Sequence, residues 1–127
     1  MDSKQLSIEP DVTAPDGADV RVLCQTARGS MAHFTLAPGG ISSAVAHHTI
    51  DEIWYFLSGR GRMWRRLGPT EEIVEVGPGL SLSIPVGTHF QFRTDGDTPL
   101  AAVAVAIPPW PDMEEAYPVD GPWAATV

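Results

Sequence analysis

The sequence predicts an all-β fold of antiparallel strands with minimal helix, closed as a sandwich or barrel. Short runs rich in Val, Ile, Phe, Trp and Leu recur along the chain, broken by turn residues every roughly 8 to 12 positions. The twelve glycines and twelve prolines that break them are spread from end to end. Helical periodicity is nearly absent.

In chain order, strands are expected at 20–26, 30–36, 45–48, 52–57, 61–66, 72–76, 80–84, 90–93 and 100–107. Pro38-Gly39-Gly40, Ser58-Gly59, Leu67-Gly68-Pro69, Gly77-Pro78-Gly79 and Asp95-Gly96-Asp97 separate them. These residues provide the positive or restricted φ that a reversing chain needs. The only helical candidate is a short turn at 112–116 after Pro111, with Asp112 as N-cap and carboxylates in its first turn. Residues 1–18 are polar and read as an extended arm, 19–107 as the barrel, and 108–127 as a Pro-rich tail. Trp110, Tyr117 and Trp123 in that tail are expected to pack on the barrel.

A chain of 127 residues suits one domain with one core, and 43% apolar residues suffice to fill it. At 19% charged residues it is no disordered chain, and its net charge of −8 includes no Lys/Arg run. Nucleic acid and anionic membrane surfaces are therefore excluded as expected partners. Arg60, Arg62, Arg65 and Arg66 come closest to a basic patch, but strand alternation divides them between two faces. The single cysteine, Cys24, rules out an internal disulfide and reads as a buried, inert thiol. No leader-like apolar segment or membrane-length stretch stands out, so a cytoplasmic location is expected.

Two segments have a regular spacing. Gly40 is followed by five residues, Ala46-His47-His48, three residues, Glu52, six residues and Gly59. Gly79 is followed by five residues, Pro85-Val86-Gly87-Thr88, His89-Phe90 and, four positions on, Thr94. In type and spacing they resemble the paired motifs of the cupin superfamily. The resemblance spans Gly40 to Thr94 and implies a cupin-type double-stranded β-helix, or jelly-roll barrel. In metal-binding members of that superfamily, three histidines and one glutamate from these motifs hold a transition metal. Aligned by this spacing, the four slots are Ala46, His48, Glu52 and Phe90. The resemblance thus implies no cofactor, or a weakly held divalent transition metal on His48 and Glu52. His47 and His89 sit one residue from the vacant slots and join the ligands only if a bulge re-aims one of them.

With His48 and Glu52 facing inward, alternation puts Trp54 and Phe56 on the same side, and Phe90 and Phe92 opposite. Ala46 and Leu82 complete a largely apolar wall, with Arg62, Trp64 and Gln91 as further polar candidates. Arg62 or Arg65 at the cavity mouth would favour an anionic ligand. His33 alternates with Phe34 and is assigned to the outer face. Such a wall is expected to bind a small organic molecule. His48 and Glu52 would then form a metal-independent acid/base pair for an isomerase, cyclase or lyase. The alternatives are a metal-dependent oxygenase, lyase or isomerase with an incomplete site, and a ligand-binding module without catalysis. Resemblance to small cupins also implies a homodimer.

Overall fold

A computed structural model describes residues 1–127. Its strands are β1 (Val12–Thr13), β2 (Asp19–Gln25), β3 (Ser30–Leu36), β4 (Val45–His47), β5 (Asp51–Ser58) and β6 (Gly61–Leu67). They continue as β7 (Thr70–Val76), β8 (Ser81–Ile84), β9 (His89–Thr94), β10 (Leu100–Ile107) and β11 (Ala116–Pro118). The one helical element is a 3₁₀ turn, Met113–Glu115, and Asp112 caps it by accepting the Glu114 N–H at 2.9 Å. No helix is long and apolar enough to cross a membrane.

Two antiparallel sheets, ordered β1-β2-β3-β10-β5-β8 and β11-β4-β9-β6-β7, face one another as a jelly-roll barrel. Alternation decides what each strand buries. On β5, Glu52, Trp54 and Phe56 point inward, whereas Asp51, Ile53, Tyr55 and Leu57 are exposed. The inward residues meet Phe90 and Phe92 from the other sheet, and Met63, Leu82 and Ile84 fill the space around them. Trp54 stacks on Phe34 at 5.1 Å between ring centres and meets the Phe92 edge at 5.2 Å. Gly61 lets β6 and β9 approach closely, because a Cβ there would lie 1.8 Å from the Arg93 carbonyl oxygen.

Both termini fold onto the barrel. β1 pairs with β2 of its own chain, Val12 opposite Val20, so part of the arm is a hairpin, turned by Pro15-Asp16-Gly17. Gly17 adopts φ +94° there, which favours glycine. The exposed segment before it is tied down by Arg21, which donates to the carbonyls of Ser7 and Ile8. Cys24 is only half-buried, with its thiol 3.6 Å from the Asp2 carbonyl, because the arm covers this outer strand incompletely. In the tail, β11 extends the second sheet beside β4, and Trp123 lies under the guanidinium groups of Arg62 and Arg93.

Phe56 is wholly buried at the centre of this packing. Phe56→Ala is expected to lower unfolding stability by about 3–5 kcal/mol through lost burial and a residual cavity. A urea denaturation midpoint equal to that of the parent protein would show that this packing is not the core.

Candidate functional site

A cavity of about 200 Å³ lies between the six-stranded sheet, β4, the N-terminal turn and the start of the tail. Its wall is mostly apolar, including Phe34, Val45, Trp54, Ala104, Ala106 and Trp110. Three titratable side chains reach it: Asp16 from the arm, His47 from β4 and Glu52 from β5. No lysine or arginine lines it.

The histidine is placed by a corner. Val45 and His47 are two apart on β4 and face the cavity together, while Ala46 between them points the other way. The chain then bends at His48-Thr49 before β5 begins. Glu115 closes the bend, accepting the Thr49 N–H at 2.6 Å, its hydroxyl at 2.7 Å and the Ile50 N–H at 2.8 Å. The His48 N–H donates to the Glu115 carbonyl at 3.0 Å. Burial pushes the Glu115 carboxyl upward in pKa, but these donors outweigh it and hold it below its ordinary value.

Across the corner, His47 Nε2 stands 3.5 Å from Glu52 Oε1, and both residues are less than 5% exposed. The imidazole also packs edge-on against Phe90 at 5.2 Å and Trp110 at 5.3 Å. Burial lowers the His47 pKa to about 4, opposed by the charge of Glu115. Burial raises Glu52 to about 8, with the Asp16 charge adding to the rise. The Trp54 indole N–H pulls Glu52 the other way without reaching hydrogen-bonding geometry. Asp16 is itself raised to about 6 by burial, although the Ala18 N–H donates to Oδ1 at 3.0 Å. At neutral pH the His47–Glu52 contact is therefore one between a neutral imidazole and a protonated carboxyl. It is not an ion pair, because desolvation disfavours both charged forms.

The structure corrects several sequence expectations. His48 is exposed and stacks on Tyr117 at 4.3 Å, outside the cavity, because the bend breaks the alternation that was counted through it. His47 takes the inward place. Ala46 lies under the tail strand, opposite Tyr117. Phe56, Leu82, Phe90 and Phe92 are core residues that fill the barrel beside the cavity and do not line it. Arg62, Trp64 and Gln91 project from the outer side of the second sheet. Arg62 pairs with Asp95 at 2.7 Å, the Trp64 indole donates to Glu71, and the Gln91 amide bonds Ser42 and Trp123. Arg65 is committed to Glu72 and the Ser83 carbonyl. His89 faces outward beside Arg66 at 3.2 Å. Glu52 and Trp54 stand on the cavity wall.

Residues 32–106, more than half of the chain, match the model of the cupin domain family. The chain belongs to the cupin family. An uncharacterized protein of Methanocaldococcus jannaschii is 30% identical over 81% of this chain and 82% of its own length. An uncharacterized Klebsiella pneumoniae protein with a double-stranded β-helix domain superposes with a TM-score of 0.66 at 17% identity, over 84% of this chain and 91% of that one. Bacillus subtilis oxalate decarboxylase, a protein with Mn(II) centres, gives 0.66 at 20% identity over 76% of this cupin but 27% of the enzyme. At these identities the likeness is one of fold.

The donor set of this cupin does not fit the metal its superfamily can carry. Nowhere do three His, Cys, Asp or Glu side chains converge closely enough to hold an ion. His47 and Glu52 are two donors, and Val45 and Phe90 stand beside His47, where further ligands would be needed.

Asp16 escaped the sequence reading, and His47 entered it only on condition of a bulge. A signal for His47 exists: counting five residues from Gly39 instead of Gly40 lands on Val45 and His47, with four residues left before Glu52. For Asp16 the Pro-Asp-Gly sequence marks a turn, but nothing local shows that this turn covers a cavity.

The shifted pKa values predict how stability depends on pH. Glu52 and Asp16, raised in the folded state, bind more protons folded than unfolded, so their contribution is present at low pH and lost as pH rises through about 8 and about 6. His47, lowered to about 4, works oppositely, and its contribution tapers off above its unfolded value of 6.5. Above pH 6.5 the loss from Glu52 outweighs the other two. The melting temperature is expected to fall between pH 6.5 and 8, and Glu52→Gln is expected to flatten that fall. An unchanged slope in Glu52→Gln would show that Glu52 is not protonated at neutral pH.

Proposed function

We propose that this cupin binds a small, largely apolar organic molecule in the 200 Å³ cavity, with Glu52 and His47 as a metal-independent acid/base pair facing it. The observation that carries the reading is the Glu52–His47 contact at 3.5 Å inside an apolar wall. A carboxyl raised to about 8 donates a proton at neutral pH, and an uncharged imidazole accepts one. That pairing suits proton relocation, as in an isomerase, cyclase or lyase reaction. The size is adequate, since an apolar cavity of roughly 150 Å³ takes up benzene. Isoamyl alcohol is a neutral probe of suitable size. It is expected to change the tryptophan fluorescence saturably, reporting from Trp54 and Trp110, and Ala106→Leu, which fills the cavity from the strand beside Glu52, is expected to abolish the response. A response that persists in a folded Ala106→Leu variant would place binding elsewhere.

We further propose that the protein is a homodimer. The outer side of the six-stranded sheet supports this, since Ile53, Tyr55 and Leu57 stand half-exposed in one row of β5, with Ile107 at the end of neighbouring β10. Burying such a row against a second copy would remove apolar surface from water. Light scattering at micromolar concentration is expected to give twice the chain mass, and the single-chain mass would refute it.

A further inference from the structure

The cavity is one-sided in charge. Asp16 and Glu52 enter it from unrelated parts of the chain, a turn in the arm and the middle of β5, with no lysine or arginine to answer them. The Glu52 carboxyl, 4% exposed, makes no hydrogen bond in good geometry and stands 3.5 Å from the His47 ring. Asp16 has a side-chain bond only to the Ala18 N–H, through one of its two oxygens. Glu115, whose charge reaches His47, is already committed to the Thr49 and Ile50 donors. The two carboxyls thus keep acceptor oxygens without donors, beside the partnerless Trp54 indole N–H and His47 Nδ1.

We propose that the cavity takes a small organic cation, an alkylammonium group seated at Asp16 and Glu52 with its hydrocarbon body against Trp54 and Trp110. The proposal rests on the small-molecule reading above and specifies its ligand class. An ammonium group has three donors and no acceptor, the complement of two carboxyls short of donors. It also pairs with the Asp16 carboxylate and brings a cation to the buried Glu52 carboxyl, which favours release of the Glu52 proton to solvent. The aromatic side chains Trp54, Trp110 and Phe34 on the wall add attraction for a cation that reaches a ring face. A carboxylate of the same size would bring only acceptors and a like charge into a wall with no cation. The net charge of −8 attracts the same class of ligand from solution.

The test uses three molecules of one shape: isoamylamine, isoamyl alcohol and isovalerate, titrated calorimetrically into the full-length protein at neutral pH and high salt. High salt screens attraction to the surface but not pairing inside the cavity. The amine is expected to bind about tenfold or more tightly than the alcohol, and isovalerate more weakly than either. Asp16→Asn combined with Glu52→Gln is expected to bring the amine down to the level of the alcohol, while Glu75→Gln on exposed β7 leaves the order unchanged. The comparison among ligands on the parent protein stands even if the double variant fails to fold. If the alcohol binds and the amine binds no better, or isovalerate binds best, charge selection is wrong and the small-molecule reading survives. If none of the three binds, both fall.

Discussion

The meeting of His47 with Glu52 depends on the corner between β4 and β5. His47 and Glu52 are five positions apart, an odd separation, and in an unbroken strand they would face opposite sides. The bend at His48-Thr49 changes the parity, and the Glu115 carboxylate keeps it bent by accepting three hydrogen bonds from Thr49 and Ile50. Charge-assisted bonds of this kind are the strong ones. Glu115 comes from the tail, more than sixty residues away in sequence. β11, which follows it, pairs Ala116 with His47, and Trp110, which precedes it, packs against the same ring. The tail thus holds the histidine from its backbone and from its side chain, and is part of the site in the same sense as the barrel strands.

Inside that frame the chemistry is governed by desolvation. Three titratable groups share a small apolar cavity, and each moves toward its uncharged form: Asp16 and Glu52 upward, His47 downward. Asp16 moves less than Glu52 because a backbone N–H stabilises its anion. The two carboxyls are thereby differentiated. At neutral pH Asp16 is largely ionised while Glu52 keeps its proton, which gives one cavity both an anionic anchor and a proton donor.

Most of the fold was legible in the sequence because strands and tight turns are local events. The strands expected at 30–36 and 100–107 coincide with β3 and β10, and the expected turns at Gly39, Gly59, Gly68 and Gly79 all adopt positive φ. The inward row Glu52, Trp54, Phe56 was legible for the same reason, since alternation holds within a strand. It failed between strands, where His48 was assigned inward by counting across a bend whose clamp lies in the tail. The pocket was misjudged by a related route. Inward-facing aromatic residues show only that a barrel is filled; which end stays open depends on interlocking rings such as Trp54 against Phe92, and on the arm and tail that roof the space. β1 and β11 were absent from the expected strands because two- and three-residue pairings carry too little periodicity to register.

The two departures from the superfamily pattern have one electrostatic explanation. A glutamate turned into an apolar barrel cannot remain a bare anion; it needs a metal, another cation or a proton to neutralise it. In metal-binding cupins, as the resemblance describes them, the metal serves that purpose and the histidines hold the metal. Here Val45 and Phe90 beside His47 remove ligands and add hydrocarbon, so the carboxyl loses a cation and gains a stronger desolvation penalty in the same step. Burial raises Glu52 to about 8, so a proton neutralises it, and burial likewise leaves the histidine beside it uncharged. The apolar residues that stand where ligands would be needed are the ones that surround the carboxyl with hydrocarbon, and the proposed acid/base reading rests on them.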